Sequence, residues 1–308
     1  MKKKSNKKKI LIIGGTGFLG FNLAKKCLEK KWSVTSVSLK SKINKKRLLK
    51  KVNYIKLDIS KYNQLKKKLS NYNYVVNFGG YVDHKKKNKN LAYHFKGCKN
   101  LVKFFEKKKI DFFIQIGTGL EYGKKNSPIK ESSKCNPISI YAKSKYLASK
   151  YIIQKAKRNN FPALVLRPFQ VYGPMQDNNR LIPIIINSCL KKEKFNCSDG
   201  KQFRDFIFID DFIEAILKII SKSNKGQAAK VFNIGYGKPY KVRNIIKMIV
   251  KLCKGGQPNY GKILLRRDEN KVIYPDILKI KKFINWHPKT NLETGLKKTI
   301  KLYKSDFK

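Results

Sequence analysis

Tyr141 and Lys145 are the two residues whose types and spacing most directly suggest chemistry. They lie four positions apart, so they share one face if the segment is helical. An ammonium beside a phenol favours the ionised phenolate, which is a proton acceptor. The chain contains 16 tyrosines, so this spacing alone also suits two residues on a solvated helix face. The elements around the pair must decide between these interpretations.

A glycine-rich stretch near the N-terminus has the form of a phosphate-binding loop. Gly14, Gly17 and Gly20 follow the apolar run Ile10–Ile13 and precede a segment with helical periodicity. The first glycine permits a tight turn, the second lets backbone amides approach a pyrophosphate, and the third lets the helix pack against the strand. Because a helix N-terminus stabilises phosphate charge, this context predicts a site for NAD or NADP. Lys145 can then hydrogen-bond the nicotinamide ribose.

The end of the second predicted strand bears on the choice between the two dinucleotides. NAD enzymes usually have an acidic residue there for the ribose 2′-hydroxyl. This sequence has Ser38, followed by Lys40 and Lys42, although lysines are frequent throughout the chain. A missing carboxylate and two cations suit a 2′-phosphate. We therefore expect NAD or NADP, with a slight preference for NADP.

Alternation of strands and helices predicts the fold class. Short apolar runs alternate with amphipathic stretches such as Leu91–Lys107 and Ala142–Asn159. This order predicts an α/β fold, a Rossmann-type doubly wound parallel sheet built from βαβ units. The predicted strands of the sheet are Lys9–Ile13, Ser33–Leu39, Val52–Leu57, Tyr74–Phe78, Phe112–Ile116, Ala163–Leu166 and Val231–Ile234.

The alternation weakens in the second half of the chain, which predicts a smaller C-terminal substrate-binding lobe. We expect a dinucleotide-binding Rossmann domain over residues 1–168, with returning segments near 205–235. Residues 169–204 and 236–308 would form the substrate-binding lobe.

The net charge of +53 comes from 64 Lys and 8 Arg against 19 acidic residues. Base readout and bidentate phosphate recognition favour Arg, which this chain uses sparingly. The lysines are spread over nearly every segment instead of forming one stripe. The pattern therefore indicates solvated faces and no specific nucleic-acid partner, with a positive field that attracts anionic substrates.

Cysteine usage and hydropathy bear on the compartment. The six cysteines include no CxxC pair, so neither a disulfide framework nor a metal site is expected. No apolar run approaches the roughly 20 residues that a membrane span needs. We expect a cytoplasmic protein without a membrane span.

Several ordered motifs extend the pattern over almost the whole chain. With them the sequence resembles the extended short-chain dehydrogenase/reductases, the NAD-dependent epimerase/dehydratase family. The motifs that carry the resemblance are the Gly14–Gly20 loop, Asp58-Ile59, Thr118 with Tyr122-Gly123, Tyr141 with Lys145, Leu166-Arg167-Pro168, Val171-Tyr172-Gly173-Pro174, Gly200 with Arg204-Asp205-Phe206, Phe232-Asn233-Ile234-Gly235, and Asn285-Trp286-His287-Pro288.

The resemblance implies a role for each catalytic residue. Tyr141 would be the general acid/base toward a sugar hydroxyl or ketone, with Thr118 sharing the proton through a hydrogen bond. Lys145 would position the cofactor ribose. The dinucleotide would contact Gly14, Thr16, Gly17, Phe18, Leu19, Gly20, Ser38, Lys40, Asp58, Ile59, Phe78, Gly79, Gly80, Tyr141, Lys145 and Pro168.

The resemblance also implies a nucleotide-sugar substrate and a homodimer. Arg204 and Arg266 would hold the sugar diphosphate, with Gln170 beside it. A salt bridge from Arg204 to Asp205 or Asp210 is the alternative use of that guanidinium.

Some positions depart from the family pattern. Dehydratases usually carry Asp-Glu directly after the catalytic Thr, where this chain has Gly119 and Leu120. Glu121 is one place too late and would point to the other side of an extended segment. His94 stands where relatives often have Asn, and Ser149 where they often have Glu. The absence of the Asp-Glu pair argues against a 4,6-dehydratase.

Hydride transfer at C4 of a nucleotide-diphosphate sugar, by 4-epimerisation or 4-keto reduction, is the function that these observations favour. One alternative is a reductase of a non-nucleotide carbonyl compound. Another is a non-enzymatic Rossmann-fold binding protein with non-specific RNA affinity. The set of Thr118, Tyr141 and Lys145 argues against the last alternative, because a binding protein has no use for a proton relay.

Overall fold

A seven-stranded sheet dominates the first half of the protein. The computed structural model describes residues 7–39, 44–80, 91–222, 228–264 and 270–306. The strands of this sheet are β1 (Lys9–Ile13), β2 (Ser33–Ser38), β3 (Val52–Lys56), β4 (Tyr74–Asn77), β5 (Phe112–Ile116), β6 (Ala163–Pro168) and β10 (Val231–Ile234). They lie in the order β10-β6-β5-β4-β1-β2-β3, and the neighbours from β3 to β6 pair in parallel. This confirms the predicted doubly wound fold.

The segments that connect these strands form helices, because apolar residues recur in them at helical spacing. In the helix Gly97–Phe105, Cys98, Leu101, Val102 and Phe105 share one buried face. The sequence suggested one uninterrupted helix from Leu91, but residues 92–96 form a π-helical turn instead. The other helices in this half are Phe18–Glu29, Tyr62–Lys68 and Ile140–Arg158.

Short strands and four helices make up most of the remaining chain. Strand β9 (Phe203–Phe208) pairs with β7 (Gln170–Tyr172), β11 (Pro239–Lys241) and β13 (Val272–Ile273), while β8 (Lys194–Asn196) pairs with β12 (Gln257–Asn259). Sequence periodicity missed these strands because most have only two or three residues. The helices are Leu181–Leu190, Val242–Cys253, Leu278–Ile284 and Leu292–Asp306, and the helix Ile209–Ser221 follows β9 directly.

Two compact units divide the chain. The first contains Met1–Gly123, Cys135–Arg167 and Ile216–Phe232, and the second contains Lys124–Lys134, Pro168–Ala215 and Asn233–Lys308. The segment 124–134 joins the second unit through contacts such as the bridge between Ile129 and Pro275. The domain boundaries drawn from sequence, which leave this segment in the first domain, stay a prediction.

No helix in the described ranges is long and apolar enough to cross a membrane. Ile140–Arg158, at 19 residues, is the longest helix that the structure describes, and it carries five lysines.

Asp205 organises the turn after β10 in the second unit. Its fully buried carboxylate accepts hydrogen bonds from the backbone N–H groups of Tyr236 (2.9 Å), Gly237 (2.6 Å) and Lys238 (3.2 Å). Burial raises the pKa of Asp205 to about 7, and the three N–H donors oppose that rise. The carboxylate therefore replaces the β-ladder partners that this turn lacks.

Asp205→Asn should destabilise the protein by about 2–4 kcal/mol in urea unfolding. The amide retains one acceptor oxygen but turns a donor toward Gly237 and Lys238, which leaves buried N–H groups without an acceptor. Asp210→Asn, at the exposed neighbouring position, should cost less than about 1 kcal/mol. Equal losses in the two variants would contradict this role of Asp205.

Candidate active site

The glycine loop closes between β1 and the helix Phe18–Glu29 in the predicted manner. Gly14 has φ +80°, a conformation that L side chains rarely adopt. Its N–H donates to the carbonyl of Val37, and the N–H of Gly17 donates back to the carbonyl of Gly14. Gly17 is the N-cap of the helix. The loop thus presents a helix N-terminus with a side-chain-free approach, which suits a phosphate group.

Gly17 and Gly20 are glycines for different reasons. A Cβ on Gly20 would lie 2.6 Å from the Cα of Gly15 and even closer to the carbonyl oxygen of Gly14, so the fold itself excludes it. At Gly17 the backbone is ordinary extended chain (φ −80°, ψ 169°), and a Cβ would meet only the Gly14 oxygen at 3.3 Å. The space beside Gly17 is therefore a cradle that a side chain would fill, and it fits a dinucleotide pyrophosphate.

Ser38 lies beside this loop at the end of β2. Its Oγ accepts a hydrogen bond from the Thr16 hydroxyl at 3.0 Å, so the second strand and the phosphate loop are directly joined. Lys40 and Lys42, which contributed to the preference for NADP, lie outside the described residues.

The ends of β3 and β4 supply the other predicted dinucleotide contacts. Asp58 is half-buried, and its Oδ1 accepts from the backbone N–H and hydroxyl of Ser60. Ile59 and Gly79 are buried, whereas Phe78 is partly exposed. All of these residues follow the carboxyl ends of parallel strands, the edge at which doubly wound sheets bind ligands.

Lys145 is buried, with 3% of its surface exposed. Its Nζ donates to the carbonyl of Ile116, the last residue of β5, at 2.9 Å. Burial lowers the pKa of Lys145 from 10.5 to about 8, and the nearby Glu121 and Cys98 partly oppose this change. The ammonium is thus held at the carboxyl end of the sheet and is still largely protonated at neutral pH.

Tyr141 lies one turn before Lys145 on the helix Ile140–Arg158, and Ser139 caps that helix by accepting from the N–H of Ala142 at 3.2 Å. The Tyr141 ring meets His94 edge-to-face, with ring centroids 5.3 Å apart. His94 is itself buried, and its Nδ1 lies 3.2 Å from the carbonyl oxygen of Gly79. Because a carbonyl can only accept, a hydrogen bond at this contact requires Nδ1 to be the donor.

Thr118 begins a short 3₁₀ turn directly after β5, two residues beyond the carbonyl that Lys145 binds. Its side-chain oxygen accepts from the N–H of Leu120 at 3.3 Å. Lys145 and Thr118 are therefore brought to the same end of β5, as the sequence implied. The catalytic roles assigned to them stay predictions.

Glu121 contacts the residues of the candidate site, and the sequence did not predict its position. It lies on the 3₁₀ turn instead of an extended segment, and the turn directs its carboxylate inward, where it is fully buried. One carboxylate oxygen accepts from the N–H of Thr118 (2.9 Å) and the hydroxyl of Ser149 (3.0 Å). The other accepts from Nε of Arg167 at 2.8 Å. The Thr-x-x-Glu spacing of a capping box is the sequence signal that could have identified it.

Of the residues expected to bind substrate, Thr118 lies in the first unit, and Arg204 and Gln170 lie in the second. Arg204 is buried, and its guanidinium donates to the carbonyls of Phe203 (2.7 Å) and Lys271 (3.3 Å). Gln170 is exposed and lines a cavity of about 210 Å³ together with Gln176, Asn179 and Arg180.

Pro168 and Arg266 were also predicted to be site residues. Pro168 is the last residue of β6 and is buried. Arg266 lies outside the described residues.

Comparison with known proteins agrees with the fold and the motifs. The model of the NAD dependent epimerase/dehydratase family matches residues 10–235. The chain therefore belongs to this family, and the resemblance found in the sequence is confirmed.

Individual relatives include both epimerases and dehydratases. A putative UDP-glucose 4-epimerase of Methanocaldococcus jannaschii is 27% identical, over 96% of this chain and 99% of the relative. A human dTDP-D-glucose 4,6-dehydratase is 29% identical, over 68% of this chain and 61% of the relative. The crystal structure of the Thermotoga maritima UDP-glucose 4-epimerase with UDP-glucose superposes with a TM-score of 0.90 at 25% identity, covering 97% of this chain and 100% of that one.

The reason for glycine at position 17 can be tested against position 20. Gly17→Ala should leave the melting temperature nearly unchanged but weaken dinucleotide binding about tenfold or more, because the methyl group occupies the cradle. Gly20→Ala should instead destabilise the fold by about 1–3 kcal/mol, because backbone atoms must move. Calorimetry and thermal denaturation separate the two effects. Unchanged affinity in a folded Gly17→Ala variant would remove the loop from the dinucleotide site.

Proposed function

We propose that this protein is an NAD(P)-dependent nucleotide-sugar enzyme that transfers hydride at C4 of the sugar, with 4-epimerisation as the principal reaction. The observation that carries the proposal is the buried Lys145 ammonium, one helical turn from Tyr141 and bound to the backbone carbonyl two residues before Thr118. A buried cation held beside a phenol at the carboxyl edge of a Rossmann sheet suits proton transfer coupled to hydride transfer.

Three residues divide the work at the reacting carbon. Tyr141 accepts the proton of the C4 hydroxyl during oxidation and returns it during reduction. Lys145 favours the phenolate by its charge and would contact the ribose of the dinucleotide. Thr118 hydrogen-bonds the substrate oxygen and holds it within reach of Tyr141. When bound, the dinucleotide supplies the group that accepts and returns the hydride.

The first unit would hold the dinucleotide and the second the nucleotide sugar. Gly14, Gly17 and the amino end of the helix Phe18–Glu29 would bind the pyrophosphate, and Ser38 would face the adenosine ribose. Arg204 and Gln170, with Arg266, would contact the substrate diphosphate. The homodimer and the cytoplasmic location indicated by the sequence are part of the same proposal.

The Thr118 turn argues against a 4,6-dehydratase. Gly119 has no side chain, and Leu120 is an apolar residue that is 44% exposed. Glu121, the nearest carboxylate along the turn, is fully buried and bound to Arg167. The turn therefore offers no free acid/base pair for removing water across C5–C6.

Epimerisation and 4-keto reduction differ in how the dinucleotide is used. An epimerase keeps it bound through the cycle, whereas a reductase exchanges it. The Methanocaldococcus relative, described as a putative UDP-glucose 4-epimerase, and the Thermotoga UDP-glucose 4-epimerase favour the first. Ser38, in place of an acidic residue, favours NADP and with it the second. Dinucleotide retained through purification, together with interconversion of UDP-glucose and UDP-galactose, would support the epimerase. An empty site and consumption of added NADPH by 4-keto sugars would support the reductase.

Tyr141→Phe should lower turnover by roughly 10²–10⁴-fold, the range for loss of a positioned acid/base. The ring and its contact with His94 remain, so folding and dinucleotide affinity should stay near wild type. Single-turnover reduction of bound dinucleotide by a panel of nucleotide sugars measures the effect. Tyr146→Phe, on the same helix, is the matched control and should retain turnover. Near-wild-type rates in Tyr141→Phe would show that the proton takes another route.

Ser38→Asp should shift dinucleotide preference from NADP toward NAD. A carboxylate beside Thr16 would repel a 2′-phosphate and accept the 2′-hydroxyl. The ratio of the two dissociation constants is the quantity to measure, with Ser38→Asn as the uncharged control. If that ratio is the same in wild type and Ser38→Asp, another position discriminates between the dinucleotides.

A further inference from the structure

Glu121 makes contacts in the first unit that the proposed reaction does not itself use. Its carboxylate is fully buried, a costly place for a charge unless partners surround it. Those partners come from three separate elements: the Thr118 turn, the helix that carries Tyr141 and Lys145, and the strand β6. One side chain thus connects the Thr118 turn, the Tyr141 helix and β6.

The chain makes room for this carboxylate immediately before Thr118. A Cβ on Gly117 would collide with Oε1 of Glu121 and would lie 3.1 Å from the Ser149 hydroxyl. Glycine at position 117 therefore allows the carboxylate to reach the N–H of Thr118 and the Tyr141 helix together.

The second carboxylate oxygen is held by a cation. Nε of Arg167 lies 2.8 Å away, with the arginine side chain 6% exposed and the glutamate side chain 0% exposed. The guanidinium also lies 4.6 Å from the centre of the Tyr122 ring, next to Glu121 in the turn. The guanidinium thus contacts both the Glu121 carboxylate and the Tyr122 ring, and this geometry fixes the direction of the carboxylate.

We propose that Glu121 is a positioning residue, whose buried negative charge sets the Thr118 turn against the helix that carries Tyr141 and Lys145. This inference rests on the proposed function for the identity of the catalytic set. The hydrogen bonds to Thr118 and Ser149 fix the spacing between turn and helix, while the ion pair with Arg167 anchors both to the sheet.

The electrostatic part of the proposal predicts a pH effect. Burial lowers the pKa of Lys145 to about 8, and the negative charge of Glu121 keeps it from falling further. Cys98, on the helix packed beside it, is a neutral thiol over this range, because burial raises its pKa to about 12. Tyr141 on the same helix and Arg167 beside Glu121 are the other groups involved. Removal of the Glu121 charge should therefore make Lys145 lose its proton at a lower pH.

Glu121→Gln tests both parts, because it keeps the size of the side chain and removes its charge. We expect kcat to fall about 10–100-fold with little change in KM, since small misplacements of catalytic groups have effects of this size. The alkaline limb of the kcat profile should move to lower pH, because Lys145 would lose its proton earlier. Glu106→Gln is the matched control. Glu106 forms a partly exposed ion pair with Lys155 of the Tyr141 helix, so turnover in this variant should stay within about twofold of wild type.

A relocated carboxylate provides the rescue experiment. The Ser149 hydroxyl already lies 3.0 Å from the Glu121 carboxylate, so a glutamate at position 149 can reach the space that Glu121→Ala vacates. The double variant Glu121→Ala/Ser149→Glu should regain at least about tenfold of the kcat lost in Glu121→Ala. It should also return the alkaline limb toward its wild-type pH. A folded double variant with neither recovery would overturn the proposal, and this comparison decides the matter if Glu121→Gln does not fold.

Dinucleotide binding separates this proposal from the proposed function. Titration of NAD or NADP by calorimetry at a series of pH values reports on Lys145 without turnover. A wild type that binds dinucleotide but acts on no nucleotide sugar would contradict the proposed reaction alone. An unshifted pH dependence of binding in folded Glu121→Gln, together with wild-type kcat where turnover is measurable, would contradict the role of Glu121.

Discussion

The burial of the Lys145 ammonium is the constraint on which the rest of the first unit depends. A cation removed from water must be compensated by oriented oxygens and by negative charge, or it loses its proton. The carbonyl of Ile116 supplies the first and Glu121 supplies the second. Glu121 in turn needs Arg167, so two cations and one carboxylate are buried together. This arrangement brings β5, β6 and the Tyr141 helix into a fixed relation at the carboxyl edge of the sheet.

The glycine loop illustrates how the demands of the fold and of a ligand can be distinguished at single positions. Gly14 is required by its backbone conformation, and Gly20 by the approach of its helix to the backbone of the loop. Neither reason applies to Gly17, whose backbone angles suit any residue and whose Cβ would have little to collide with. A glycine that the protein alone does not require points to something outside the protein, and its place at a helix N-terminus indicates a phosphate.

Sequence patterns were sufficient for the sheet and the catalytic helix but not for the contacts that position them. Apolar runs covered on both faces marked the parallel strands, because burial of both faces excludes polar residues. For Glu121 an extended segment was considered, whereas a capped 3₁₀ turn forms and buries its carboxylate. The pattern of apolar residues continues through the π-helical turn that carries His94, so periodicity could not reveal it. The short strands around β9 lack a periodic signal, because each has only two or three residues.

The difference between a sequence pattern and a defined contact also applies to the charged residues. The chain carries 72 Lys and Arg residues, and a composition so basic suggests a polyanion partner. Most lysines are exposed, where salt screens their charge and each contributes little. Three buried cations differ from these, because Lys145, Arg167 and Arg204 each donate to specific carbonyl or carboxylate oxygens. A diffuse positive field can raise the encounter rate of an anionic nucleotide sugar. Selectivity for one hydroxyl of that sugar requires a donor fixed in space, and burial provides this because the surrounding packing removes the alternative rotamers that an exposed lysine samples.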